Sequence, residues 1–296
     1  MNIRKFYSYE VVYIMHRTRL FLRICALFIL SALALTSLCG CEIGEYEELS
    51  TRKNYKNSSS PVTRPTSNAN NNSNQGNSNG NNSGEKRVAL TFDDGPHNVR
   101  TKAIVDELAK YGYRATFFVV GNRVDGTAYD GADALKYAHD HGNEIAIHGY
   151  THAVYYHNCD QDRYERELSN TYNAIKDVAK NASVRLMRPI GGNITDERVA
   201  SCPYSVIMWS VDSEDWKYKG RGENGELAEQ NINTIVENVM SQVKSGDIVL
   251  MHDIYENTYE AAKIIIERLH EEGYQLVTVS ELLGDGMRAG NKYSRK

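Results

Sequence analysis

Two adjacent carboxylates, Asp93 and Asp94, close an apolar run that begins at Val88. Aspartate is disfavoured in strands, and two side by side repel each other unless a cation or a basic partner separates their tasks. Successive residues leaving a strand point to opposite faces, so one carboxylate can hold a metal while its neighbour turns toward a substrate or an attacking water. Gly95-Pro96 then ends the strand and turns the chain toward a helix. The ordinary alternative is a polar strand-to-turn cap, with Asp94 bonding the backbone beyond it.

Other polar groups suited to acid, base or metal work recur at the ends of apolar runs. His148-Gly149-Tyr150-Thr151-His152 places two imidazoles four residues apart, the spacing that puts both on one face of a helical turn. Among nine histidines such a pair can also be a coincidence of surface or core residues. Two imidazoles and one carboxylate would leave open positions on a metal, as hydrolytic centres need. Arg188-Pro189 supplies a permanently charged fork that can clamp a carboxylate in bidentate fashion, or simply a solvated arginine before a turn. The stretch Trp209 to Trp216 gathers Asp212, Glu214, Asp215 and both tryptophans of the chain. It reads as the wall of a sugar pocket or as an acidic loop packed by its indoles. Leu250-Met251-His252 ends a further run on a histidine.

The elements that must position these groups alternate in type. Strands are expected at 88–92, 115–120, 144–147, 184–187, 205–211, 248–251 and 275–279. Helical periodicity is clearest at 101–111, 164–179, 232–243 and 258–270, where Ala262, Ile265, Ile266 and Leu269 share a face. About seven strands alternating with helices predict an α/β fold with a parallel sheet, open or closed into a barrel. In a barrel, functional groups gather at the C-terminal ends of the strands.

Upstream, Arg4, Lys5, Arg17, Arg19 and Arg23 precede an apolar run from Ile24 to Leu38 that ends in Leu38-Cys39-Gly40-Cys41. Residues 1–41 read as an export signal with a lipobox-like end, lipidated at Cys41, or as a retained N-terminal membrane anchor. Both place the rest outside the cytoplasmic membrane. Residues 42–86, with an Asn/Ser/Gly-rich tract, have too little apolar surface to offset the entropy of ordering and read as a disordered tether. The catalytic domain is expected at 87–286 and a C-terminal tail at 287–296. A net charge of -4 gives no electrostatic footprint for nucleic acid. Of five cysteines, Cys159 and Cys202 fall in the globular part, bridged or free.

Taken together, Thr91 to Pro96, His148 to His152, Arg188-Pro189, Trp209 to Trp216 and Leu250 to His252 resemble, in order, the five sequence blocks of the polysaccharide deacetylases, the NodB-homology family of carbohydrate esterases. The resemblance spans about residues 87–283. It implies a distorted (β/α) barrel and a divalent metal, commonly zinc with cobalt or others possible, held by Asp94, His148 and His152. It implies Asp93 as general base, His252 as general acid tuned by Asp215, and Arg188 orienting Asp93. Pro189, Gly191, Trp216 and Leu250 would line the substrate site. The reaction implied is removal of N-acetyl groups from a cell-wall glycan, above all peptidoglycan, with chitin fragments or O-acetylated xylan as alternatives.

Two positions depart from the family pattern. Gly149 stands where Ser or Thr usually supports the metal loop, and Gly191 stands where an aromatic residue usually forms a wall. Tyr150, Tyr155, Tyr156 and Trp216 are candidates to replace that wall. The departures keep open a glycan-binding wall lipoprotein with little turnover. The Asp-His-His set also fits an iron(II) oxygenase triad, which would leave Asp93 and His252 without a task.

Overall fold

The computed structural model describes residues 85–222 and 225–296. The leader, Cys41 and the tether up to residue 84 lie outside them. No helix among the described residues is long and apolar enough to cross a membrane.

The sheet is built on β1 (Lys86–Asp93), whose last six residues are buried. Around it stand β2 (Thr116–Val120), β3 (Glu144–Gly149), β4 (Leu186–Met187), β5 (Ser205–Ile207), β6 (Val211–Asp212), β7 (Ile248–His252), β8 (Tyr274–Leu276) and β9 (Lys292–Tyr293). The strand order is β6-β7-β1-β2-β3-β4-β5-β9, with β8 paired to the start of β1. Every one of these strand pairings is parallel. Parallel strands must be covered on their faces, which explains why β2 is apolar from Phe117 to Val120 and buried throughout.

The helices are α1 (Arg100–Ala109), α2 (Gly121–Val124), α3 (Ala132–Asp140), α4 (Gln161–Val178), α5 (Asp196–Ser201), α6 (Glu229–Met240), α7 (Glu256–Glu271) and α8 (Val279–Leu283). The apolar stripe of α7, Ala262, Ile265, Ile266 and Leu269, is fully buried as its periodicity predicts. The curled parallel sheet with its helices is the distorted (β/α) barrel expected from the sequence.

Several elements differ from the sequence reading. The run 205–211 is two strands, because Arg188 bonds the carbonyls of Ile207 and Met208, each at 3.1 Å, and takes acceptors a neighbouring strand would have used. Its first half joins β4 and its second half joins β7, so this one stretch links the two sides of the curl. The run 275–279 stops early because Thr278 and Glu281 form a capping box that starts α8. The last residues are not a free tail: β9 pairs with β5, and the Lys296 N–H reaches Gly246 O at 2.9 Å. Cys159 and Cys202 are free thiols, half-buried and buried.

Strand register sets the site. Asp93 is the Cα partner of His252 on β7, Asp212 of Leu250, and Ile147 of Met187. Asp93, His148, Arg188 and His252 therefore arrive at one end of the sheet without any loop having to carry them there.

Candidate active site

At that end lies a cleft of about 430 Å³ lined by Asp93, Asp94, His148, His152, Tyr155, Gly191, Trp216, Leu250 and His252, among others. Asp94, His148 and His152 each offer one ligand atom, and the three atoms lie within 4.8 Å of one another. His148 Nδ1 is 2.9 Å from Arg188 O, and a carbonyl can only accept, so Nδ1 carries the proton and the Nε2 lone pair faces the cleft. His152 Nε2 approaches Asp94 Oδ1 to 2.9 Å without hydrogen-bond direction, and that buried oxygen has no donor among the described residues. Three electron-rich atoms turned toward one point are relieved by a proton or a cation, so these residues fit a divalent metal. Burial opposes the charge on Asp94, but the imidazoles of His148 and His152 outweigh it and hold the carboxyl well below its usual range. In return Asp94 raises the pKa of His152.

The two histidines do not share a helical turn. His148 is the next-to-last residue of β3, which ends at Gly149 with φ +140°, and the chain then folds back to His152 at φ +56°. Asp94 is also left-handed, at φ +71°. Left-handed non-glycine residues are costly and gather where surrounding structure over-determines them.

Gly149 has a physical reason: a Cβ there would lie 2.7 Å from the Tyr156 hydroxyl. That hydroxyl occupies the space of the usual Ser or Thr side chain and lies 3.4 Å from His148 O. At Gly191, with φ +60°, the position of a Cβ lies 3.4 Å from the ring of Tyr155. Of the four aromatics considered, Tyr155 is the one seated over the glycine, and it is 48% exposed into the cleft.

Arg188 is fully buried and donates to Asp93 Oδ1 at 2.7 Å and to Thr91 Oγ1 at 2.8 Å, fixing the Asp93 carboxylate from behind. Its guanidinium lies 4.2 Å from the ring centre of Phe118. Across the cleft, His252 Nδ1 meets Asp215 Oδ1 at 2.7 Å, and Asp215 is itself fully buried. Burial opposes protonation of His252, but Asp215 outweighs it, and the pKa is raised to about 9.

Trp216 and Leu250 line the cleft. Pro189 is buried behind the wall, its carbonyl accepting from the Gly192 N–H at 2.9 Å. The lining also includes Trp209, Asp212 and Tyr255. The first two sit inside the acidic, indole-flanked stretch. Tyr255, three residues past His252, carries no signal in the sequence.

The chain matches the sequence model of the family described as polysaccharide deacetylase over residues 80–205. It is 37% identical over 198 residues to the peptidoglycan-N-acetylmuramic acid deacetylase PdaC of Bacillus subtilis, covering 67% of this chain and 39% of that protein's length. It is 34% identical to a peptidoglycan-N-acetylglucosamine deacetylase of Bacillus cereus, covering 67% of this chain and 89% of that protein. The solved structure of the Bacillus subtilis deacetylase superposes with a TM-score of 0.59 at 37% identity, covering 67% of this chain and 90% of that one.

Proposed function

Since this chain belongs to the polysaccharide deacetylase family, we propose that it removes N-acetyl groups from the amino sugars of peptidoglycan, using one divalent metal, zinc first among the candidates. The observation that carries the reading is the convergence of Asp94, His148 and His152 on one point in a cleft that Asp93 and His252 also line. Names of relatives from two species, both acting on peptidoglycan, support that substrate; chitin oligomers and acetylated xylan are the alternatives.

Asp94, His148 and His152 would hold the metal. When bound, a divalent ion lowers the pKa of water and withdraws charge from an acetyl carbonyl oxygen. Asp93, held through Oδ1 by Arg188, keeps its second oxygen on the cleft side and takes the proton from the attacking water. His252, protonated at neutral pH through Asp215, gives a proton to the nitrogen as the C–N bond breaks. Water thus supplies the second oxygen of acetate, and the sugar leaves as an amine. Tyr155 and Trp216 would flank the pyranose ring with their aromatic faces, and Gly191 and Leu250 would bound the acetyl pocket.

The leader and Cys41 support an exported enzyme tethered by lipid to the membrane and facing the wall. A glycan-binding lipoprotein with little turnover is the alternative; the Tyr156 hydroxyl and the Tyr155 ring beside the two departing glycines favour the catalytic reading over it.

The test is acetate release from peptidoglycan, chitin oligomers and acetylated xylan, with and without a chelator. Release from peptidoglycan, abolished by chelation and restored by zinc, is expected. Binding to glycan with no acetate from any of the three would overturn the reading.

A further inference from the structure

The turn that carries both candidate imidazoles is held by a residue far from the five motif blocks. Glu167, in the middle of α4, is only 3% exposed. Its Oε2 accepts the backbone N–H groups of Tyr150 at 2.7 Å and Thr151 at 2.8 Å, and its Oε1 accepts the Thr151 hydroxyl at 3.0 Å. Arg163, one turn earlier on α4, lies 3.3 Å from the same Oε1. Every bond to the carboxylate comes either from its own helix or from the residues between His148 and His152.

A buried carboxylate persists only where donors replace the water it has lost. Here the donors belong to a turn with a left-handed residue at one end and Gly149 at the other, a conformation that needs external support. Two adjacent N–H groups aimed at one oxygen fix the peptide planes on either side, and with them the distance between the two imidazoles. Groups behind metal ligands orient them through hydrogen bonds, and Glu167 acts one step further back, through the peptides that carry the two imidazoles.

We propose that Glu167 is a positioning residue for the metal centre, holding the Tyr150-Thr151 backbone so that His148 and His152 stand at the separation one cation requires. The inference rests on the metal reading above. It assigns to a helix residue the support that a hydroxyl at position 149 would otherwise give.

The test is zinc affinity of the whole exported chain, measured by competition with a chromogenic chelator, alongside the Tm of the metal-free protein. Glu167→Leu keeps the bulk but removes both acceptor oxygens, leaving the Tyr150 and Thr151 N–H groups without their partner, and it is expected to weaken zinc binding about 10-fold or more. Thr151→Ala, which removes the hydroxyl bond to Glu167 and the longer one accepted from the Ala153 N–H at 3.3 Å, should weaken it by a few-fold. Leu168→Ala, beside Glu167 but in the apolar core, serves as the control: it should lower Tm while leaving zinc affinity within about threefold. Unchanged affinity in Glu167→Leu, or an equal loss in Leu168→Ala, would overturn the proposal while leaving the metal site standing. Failure of the unaltered chain to bind zinc would overturn both, and so is told apart.

Discussion

His252 Nδ1 lies 2.7 Å from Asp215 Oδ1, while the second oxygen of that carboxylate receives the backbone N–H of His252 itself at 2.7 Å. One buried acid therefore fixes both the ring and the main chain of the proposed proton donor, and Thr258 completes its shell at 2.7 Å. Asp215→Asn keeps the shape and removes the charge. The pKa of His252, raised to about 9 by Asp215, should fall, moving the alkaline limb of the kcat profile to lower pH and cutting kcat at neutral pH about 100-fold or more. The sign for stability follows. His252 is raised above its ordinary 6.5, so its contribution in the chelated protein is full below about 6.5 and is lost as pH rises toward 9. An Asp215→Asn profile that overlays the wild type would show that the pairing does not tune the acid.

Metal affinity should itself depend on pH. In the metal-free protein Asp94 raises the pKa of His152, so a proton competes with the cation for that imidazole. Zinc binding measured by chelator competition should tighten about tenfold or more between pH 5.5 and 7.5. Affinity flat across that interval would place the ion elsewhere.

Tyr155 sits over Gly191 and is half exposed into the cleft. Tyr155→Ala should raise KM for the glycan about tenfold with kcat changed by less than threefold, whereas Tyr155→Phe, which keeps the ring, should behave as wild type. A kcat loss with unchanged KM would mean that the ring orders the reacting groups instead of the sugar.

Restoring the family's hydroxyl at position 149 should harm this chain. Gly149 combines φ +140° with a Tyr156 hydroxyl 2.7 Å from the position of a Cβ. Gly149→Ser is expected to destabilise by about 1–3 kcal/mol, and Tyr156→Phe in the same background should recover part of the loss. Thermal unfolding of the single and double variants decides it; a Gly149→Ser protein as stable as wild type would show that the turn adapts freely.

Much of this site is legible in the sequence because the sheet itself delivers it. Apolar runs that stop at Asp93, His148, Arg188 and His252 mark strand ends, and parallel register gathers strand ends in one place. What escapes the sequence acts across distance. The break between β5 and β6 is invisible locally, because the donors that cause it belong to Arg188, about twenty residues earlier. Glu167 reads as one more polar residue on a charged helix, since nothing nearby announces that its side chain points inward to two amides. The His148–His152 spacing suggests a helical turn, whereas the pair converges through left-handed backbone that the spacing does not encode. The end of β8 had a local signal, the capping sequence Thr278-Val279-Ser280-Glu281, masked by the β-branched triplet Val277-Thr278-Val279 that overlaps it.

In the proposed reaction Asp93 would activate water beside a cation held by Asp94, His148 and His152. The most direct measurement is acetate release by Asp93→Asn from N-acetylated peptidoglycan, made on protein whose zinc content is determined in the same preparation. One zinc per chain and a kcat reduced about 100- to 10,000-fold are expected, with both metal and turnover lost in His148→Ala. An Asp93→Asn enzyme that turns over at the wild-type rate with its zinc in place would contradict this role.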